Sequence, residues 1–357
     1  MGRGELTVTE GWTGADRLRP IPMCVTPTLR ARMFKAVATR SPLAVALLVA
    51  STACADGPPE PIPFDEQAHA AQVADFARAR DEELAAPDAW LSRIGLHWLE
   101  QGETTVGADS ASGIVLPVAA APRVGMLTVT GTEVRWRTEP GVPVTQGVDS
   151  TLNLQAGSGA IPPDVSGDPE VADALLTDDL GYGKFVVLRH GDLNWIVIRR
   201  GDRVALRVRD NAHPAYRDFH GVDRYDTDPA WRLTARWVPH EKTVSVPNVL
   251  GTVAETPSPA FLEFWVNGQR LTLDVVGEPD HGQYMMVFAD ATSGGETYGG
   301  GRYLWVPEPD ARGRVVVDFN YAYNPPCVWT AFATCPLPTR DNRLPVRVEA
   351  GEKNWAH

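Results

Sequence analysis

The chain has 357 residues, 43% of them hydrophobic and 22% charged, enough to bury one large core or two medium ones. A formal net charge of -12 repels phosphate backbones and argues against nucleic-acid binding. The 32 Gly, 30 Pro and 11 Trp favour short aromatic-rich strands and frequent turns over long helices.

Residues 1–32 carry scattered Arg and Pro without periodicity. Met33 to Arg40 then gives a basic start, Leu43–Ala50 a short apolar run, and Ser51, Thr52 and Ala53 small residues ahead of Cys54. This is the plan of a secretory signal, with an apolar run too short to span a bilayer comfortably. A signal begins near an N-terminus, so the expected start is Met33 or Met23, and residues 1–53 read as a dubious leader plus signal peptide. The small residues before Cys54 resemble a bacterial lipoprotein site, although Ser51 stands where such sites usually carry Leu. That resemblance implies an exported envelope protein lipidated at Cys54. Plain secretion, or a soluble protein with an apolar N-terminal helix, are the other readings. Residues 54–63, with Gly57-Pro-Pro-Glu-Pro-Ile-Pro63, read as a Pro-rich tether.

From Phe64 to about Ala86, Ala, Glu, Gln and Arg dominate around Val73, Phe76 and Leu84, which predicts a helix. Pro87-Asp88 breaks it, and a short turn follows over Ala89–Ile94. After Gly95 come short apolar or alternating runs set off by Gly, Pro or Asp, up to Arg203–Arg209. That last run alternates basic and apolar residues, so one face is expected in the core and the other in solvent, or serving as an anion-binding patch. Asp210–Pro229 reads as a long connection. Strands resume from Trp231, including Trp231–Val238, Lys242–Val246, Arg302–Val306 and Arg314–Tyr323. The predicted fold is mainly β: a two-lobed antiparallel β-sandwich or barrel-like architecture preceded by one N-terminal helix. Its lobes span 64–215 and 216–357.

Of the four cysteines, Cys24 lies in the leader and Cys54 at the lipidation point. Cys327 and Cys335 read as a disulfide, the default in an exported protein, with free thiols or a metal site as alternatives. Zinc usually needs paired Cys-x2–4-Cys units or nearby His, and neither is present, so no metal is expected.

No Gly-x-Ser-x-Gly elbow or His-Glu-x-x-His occurs. The Gly-rich run Thr292–Arg302 lacks Gly-Lys-Ser/Thr and reads as a hairpin or bulge, with a ligand-cradling loop as the alternative. Period two over residues 315–324 puts Val315, Val317, Phe319, Tyr321 and Tyr323 on a core face. It puts Val316, Asp318, Asn320, Ala322 and Asn324 on the other. If the strands holding Arg302 and Asp318 pair, the two side chains form a charge-assisted couple, useful in catalysis or as a structural lock. His97, between Leu96 and Trp98, is either a hydrogen-bonded, partly buried side chain or a general base. Asp290 reads as a turn cap.

The peptides Gly95-Leu-His-Trp-Leu, Leu206-Arg-Val-Arg-Asp, Glu296-Thr-Tyr-Gly-Gly-Gly-Arg-Tyr-Leu, Asp318-Phe-Asn-Tyr-Ala-Tyr-Asn-Pro-Pro-Cys, Cys335-Pro-Leu-Pro, Asn342-Arg-Leu-Pro and Ala350-Gly-Glu-Lys resemble the domain of unknown function 1684 family over most of residues 65–353. That family implies no activity. Leu99 to Pro117 looks like the opening strands of a forkhead-associated β-sandwich. Ala108 follows Gly107 where that family carries its phosphopeptide-reading Arg, so only the sandwich shape is implied.

Two functions follow as expectations. The first is a hydrolase with a polar cleft in the C-terminal lobe. Asp318 or Glu296 would be acid or base, with Arg302 on the substrate and His97 a further catalytic candidate. Tyr298, Tyr303, Asn320, Tyr323, Asn324 and Asn342 would bind. The alternative is a non-catalytic ligand-binding or assembly lipoprotein. No cofactor is expected, and the ligand is a polar small molecule or glycan-like.

Overall fold

A computed structural model of the protein describes residues 57–149, 168–180 and 185–355. The signal, Cys24 and Cys54 lie outside them. Helix α1 spans Glu66–Ala85, close to its predicted bounds. Asp65 caps it by accepting from the Ala68 amide at 2.8 Å, and Pro87 stops it. Its buried stripe contains two polar residues, His69 and Arg80, beside Val73 and Leu84.

Ten strands build the N-terminal lobe: β1 (Arg93–Trp98), β2 (Gly102–Gly107), β3 (Ile114–Val115), β4 (Gly125–Thr130), β5 (Glu133–Thr138), β6 (Thr145–Asp149), β7 (Asp173–Leu176), β8 (Phe185–His190), β9 (Leu193–Arg200) and β10 (Arg203–Asp210). They form two five-stranded sheets, β1-β10-β9-β8-β6 and β3-β2-β4-β5-β7, antiparallel except for β2 with β3. Their facing sides share one core, in which Trp136 meets Trp195 at 5.2 Å. Val204, Leu206 and Val208 of β10 point into it as the alternation predicts. The opposite face of β10 is not solvated, contrary to the first expectation. Arg207 and Arg209 are buried there. Trp90 stacks on Arg93 and Arg207, while Thr330 and Thr334 bond to Arg93 and Arg200. The segment around Thr330–Thr334, after β17 has left its sheet, therefore reaches this sheet.

The C-terminal lobe places β11 (Arg232–Pro247), β12 (Val253–Val266), β13 (Gln269–Asp274) and β17 (Arg314–Asp318) in the order β13-β12-β11-β17. A second sheet runs β14 (Val276–Asp280), β15 (Gln283–Phe288), β16 (Arg302–Pro307). Between them pack Leu262, Phe264, Met286, Phe288, Leu304, Val317 and Phe319. The β12–β13 turn is Asn267-Gly268, both with positive φ, as a two-residue hairpin requires. Predicted strands 231–238 and 242–246 are one ribbon, interrupted where the pairing slips between Pro239 and Lys242. The fold is mainly β, with several antiparallel sheets, one long N-terminal helix and no closed barrel.

The Pro-rich segment is not a free tether over its described length. Gly57 O accepts from Arg236, Glu60 pairs with Arg312 and Arg314, and Ile62 binds Thr234 and Arg232. It is an extended strap along β11 and β17. No helix among the described residues is long and apolar enough to cross a membrane.

Candidate functional site

Arg302 and Asp318 do not meet. β16 pairs with β15 and β17 with β11, so the two residues belong to different sheets. Arg302 is fully buried over the Phe288 ring. It donates to Asp290 Oδ1 at 3.3 Å and to the carbonyls of Val348 (2.9 Å), Ala350 and Glu352 (3.4 Å). Burial pushes its pKa down, against the pull of Asp290. Asp290 also receives Thr292 Oγ1, Ser293 Oγ and the Val348 amide. This group pins the Gly-rich turn to the chain's last described segment. The run 291–301 is a turn-rich loop rather than a hairpin. At Gly301 (φ 86°) a Cβ would lie 2.5 Å from the Phe288 carbonyl, so Gly is required.

Asp318 belongs to a second lock. The strand ends at Asp318, and Phe319–Tyr321 form a 3-10 turn, so period two fails and both predicted faces are buried. The carboxylate sits 2.6 Å from His69 Nε2 of α1 and accepts both the Asn320 amide and its Nδ2. Asn320 also clasps the backbone of Asp228 through its Oδ1 and Nδ2. In a third lock, Glu352 is fully buried between Arg80 (3.5 Å) and Arg224 (3.4 Å) and accepts the Asn324 amide at 2.7 Å. Burial pushes its carboxyl up, opposed by those two cations. Arg80 stands over Tyr323, whose hydroxyl burial holds far from ionisation.

The other predicted residues are placed as follows. Asn342 clamps Asp274 and Val287 through three backbone bonds, and Tyr303 donates to Pro336 O at 2.8 Å. Tyr298 packs in a small apolar cluster with Trp329 and Trp355. Glu296 is exposed, held by Arg347 and by Tyr225 at 2.8 Å, and these bonds keep its pKa low. Cys327 and Cys335 are joined in a disulfide. His97 lies apart in the N-terminal lobe. With Asp210 and His213 it lines an open cavity of about 450 Å3, and burial lowers its pKa. The two acidic candidates, Arg302 and His97 thus share no cavity among the described residues.

A larger cleft, about 640 Å3, opens in the C-terminal lobe between the β11–β12 ribbon and β14–β15. Its lining includes His240, Glu241, Lys242, Ser258, Glu278 and Tyr284, with Pro239, Pro257 and Pro259 as apolar wall. A bulge creates it, since His240 and Glu241 face Pro259 alone across the ladder. His240 Nε2 lies 2.9 Å from Ser258 Oγ and 3.8 Å from Asp274 Oδ1, and burial keeps the ring toward neutrality. Ser258 Oγ also has Ala260 O as an acceptor at 3.4 Å. A nucleophilic serine needs the carboxylate on the other ring nitrogen, and His240 Nδ1 has no partner. This cleft was missed in the sequence, although Pro257-Ser-Pro259 inside a strand-like run signals a bulge. Among the described residues no group of His, Cys, Asp or Glu is placed to hold a metal ion.

The architecture is that of a mainly β protein with two packed pairs of sheets and a docked N-terminal helix. Residues 217–353 match the family model described as Protein of unknown function (DUF1684), and the chain belongs to that family. The match is narrower than 65–353 and lends no support to a forkhead-associated likeness at 99–117. Among solved structures, the chain is similar to the solution NMR structure of the uncharacterized protein from gene locus rrnAC0354 of Haloarcula marismortui. The identity is 32%, over 38% of this chain and 78% of that one, with a TM-score of 0.33. No curated protein matches.

Proposed function

We propose that this is an exported, lipid-anchored envelope protein that binds a neutral, polyhydroxylated ligand of glycan-like chemistry in the His240 cleft. The observation that carries the reading is the lining of that cleft. Glu241 and Glu278 offer carboxylates to sugar hydroxyls, Lys242 offers donors, and Tyr284 with three prolines offers apolar faces to C–H surfaces. The mixed charges leave no strong complement for a highly charged ligand. Binding is favoured over hydrolysis because Arg302 and Asp318 are spent in buried locks, and among the described residues no carboxylate reaches His240 Nδ1, the ring nitrogen a serine-activating histidine needs oriented.

Export and anchoring rest on residues 33–54 of the sequence. Gly57, held by Arg236, follows Cys54 by three residues, which extend to about 10 Å at most. A lipid on Cys54 would therefore hold the C-terminal lobe close to the headgroups. Substituting Cys54→Ser is expected to move the protein from the membrane to the soluble fraction. Retention of the variant in the membrane fraction counts against the anchor.

For the cleft, calorimetric titration with chito-, cello- and maltohexaose is expected to show saturable binding to at least one. Tyr284→Ala should weaken it about tenfold, the loss of one aromatic contact of about 1.4 kcal/mol. No binding by any of the three rejects the glycan reading, and release of shorter sugars would restore the hydrolase one.

A further inference from the structure

Arg207 is a deeply buried guanidinium whose Nε has no hydrogen-bond acceptor among the described residues. It lies on β10, between apolar ladder neighbours Leu96 and Ile196, and is 1% exposed. Its Nε is buried with no acceptor, and among the described residues no carboxylate or carbonyl bonds to its guanidinium. The Trp90 ring stands 5.6 Å from its guanidinium. Other arginines on this sheet face are matched. Arg189 has Asp88 and Asp168, Arg200 has Asp179, and Arg93 donates to the Asp88 and Ala89 carbonyls. Burial first, then the like charges of Arg200 and Arg209 against the opposing pull of the Asp179 carboxylate, bring its pKa to about 9. It stays cationic at neutral pH. Asp179 is already paired with Arg200, so one carboxylate stands against three buried or half-buried guanidiniums here, and a buried cation with unmet hydrogen bonds is costly.

We propose that Arg207 is the floor of an internal anion site, between the outer face of the β1-β10-β9-β8-β6 sheet and the segment around Thr330–Thr334, that takes a small oxyanion. A guanidinium fork matches two oxygens of a phosphate, sulfate or carboxylate group, which supplies the missing acceptors and adds negative charge where Asp179 alone faces Arg200, Arg207 and Arg209. Trp90 and Arg200, its neighbours, are both partly exposed, so the site lies one side chain from solvent. The Arg200 guanidinium reaches Thr334 Oγ1 at 3.1 Å, which ties this place to the loop closed by Cys327 and Cys335. The inference is independent of the glycan cleft, which lies in the other lobe.

The test is thermal unfolding of the full chain in an oxyanion-free buffer, titrated with inorganic phosphate, sulfate or acetate at constant ionic strength set by chloride. Wild type is expected to gain Tm with at least one of these along a saturating curve. Arg207→Met should lose that response, and without oxyanion it should melt at or above wild type because a buried cation with unmet hydrogen bonds, beside two like charges, is gone. Arg207→Lys, which keeps the charge but loses the fork, should need about ten times more anion for the same gain. If Arg207→Met does not fold, Arg207→Lys decides alone. A wild type indifferent to all three anions, or variants responding as wild type does, overturns the proposal.

Discussion

Replacing Arg302 with Met removes one guanidinium and keeps most of its apolar volume. The structure fixes what is lost: bonds to Asp290 and to the carbonyls of Val348 and Ala350, inside a site with no solvent access. Breaking a buried ion pair by deleting one partner costs about 3–5 kcal/mol. Asp290 keeps Thr292, Ser293 and the Val348 amide as donors, so the lower end of that range applies, about 3 kcal/mol. With an unfolding entropy of about 2.1 cal/mol/K per residue, a chain of this size falls in Tm by about 4–5 °C. Calorimetric melting and urea denaturation of wild type and Arg302→Met measure it, with the urea midpoint falling and the slope unchanged. A variant melting within about 1 °C of wild type would refute the assignment of Arg302 as a lock.

Other consequences follow from the same locks. His69→Ala strips Asp318 of its α1 partner and should cost about 1–3 kcal/mol, read as a lower urea midpoint; an unchanged midpoint would show that α1 is held by its apolar contacts alone. Reducing the Cys327–Cys335 disulfide, whose closed loop is worth about 2.5 kcal/mol in the chain-entropy model, should lower Tm in dithiothreitol but leave Cys327→Ser/Cys335→Ser unaffected by it. His97 and His240 are held neutral by burial, while the unfolded chain protonates them near pH 6.5. Their contribution is intact above that pH and is lost as pH falls below it, so Tm should drop between pH 7 and 5, with a shallower slope in His240→Gln. A slope identical to wild type would remove His240 from that linkage.

The helix was legible because Ala, Glu and Arg surround a single apolar stripe and Pro87 ends it. The short strands were legible because turn residues bound each one, and β10 showed its inward Val204, Leu206 and Val208 directly. Its other face misled because alternation reports two faces, not what covers them; Trp90 stands over Arg207, and Thr330 and Thr334, far along the chain, bond to Arg93 and Arg200 of the same sheet. The polar residues of the C-terminal run were found, but their grouping was not. Asp318 meets His69 across 249 positions, and no local period carries such a contact. Arg302 takes carbonyls, which leave no mark in the sequence at all. The His240 bulge adds one residue to one strand of a ladder, so it shows only as a break between two runs.

A backbone NMR titration with the best-binding hexasaccharide tests the central claim most directly. Shift changes are expected to gather at Pro239–Thr243, Ser258, Gly277–Glu278 and Tyr284, leaving the amides of Arg302 and Asp318 unmoved. Changes centred on Arg302, Asp318 and Asn320, with the cleft silent, would contradict it and return the site to the buried locks.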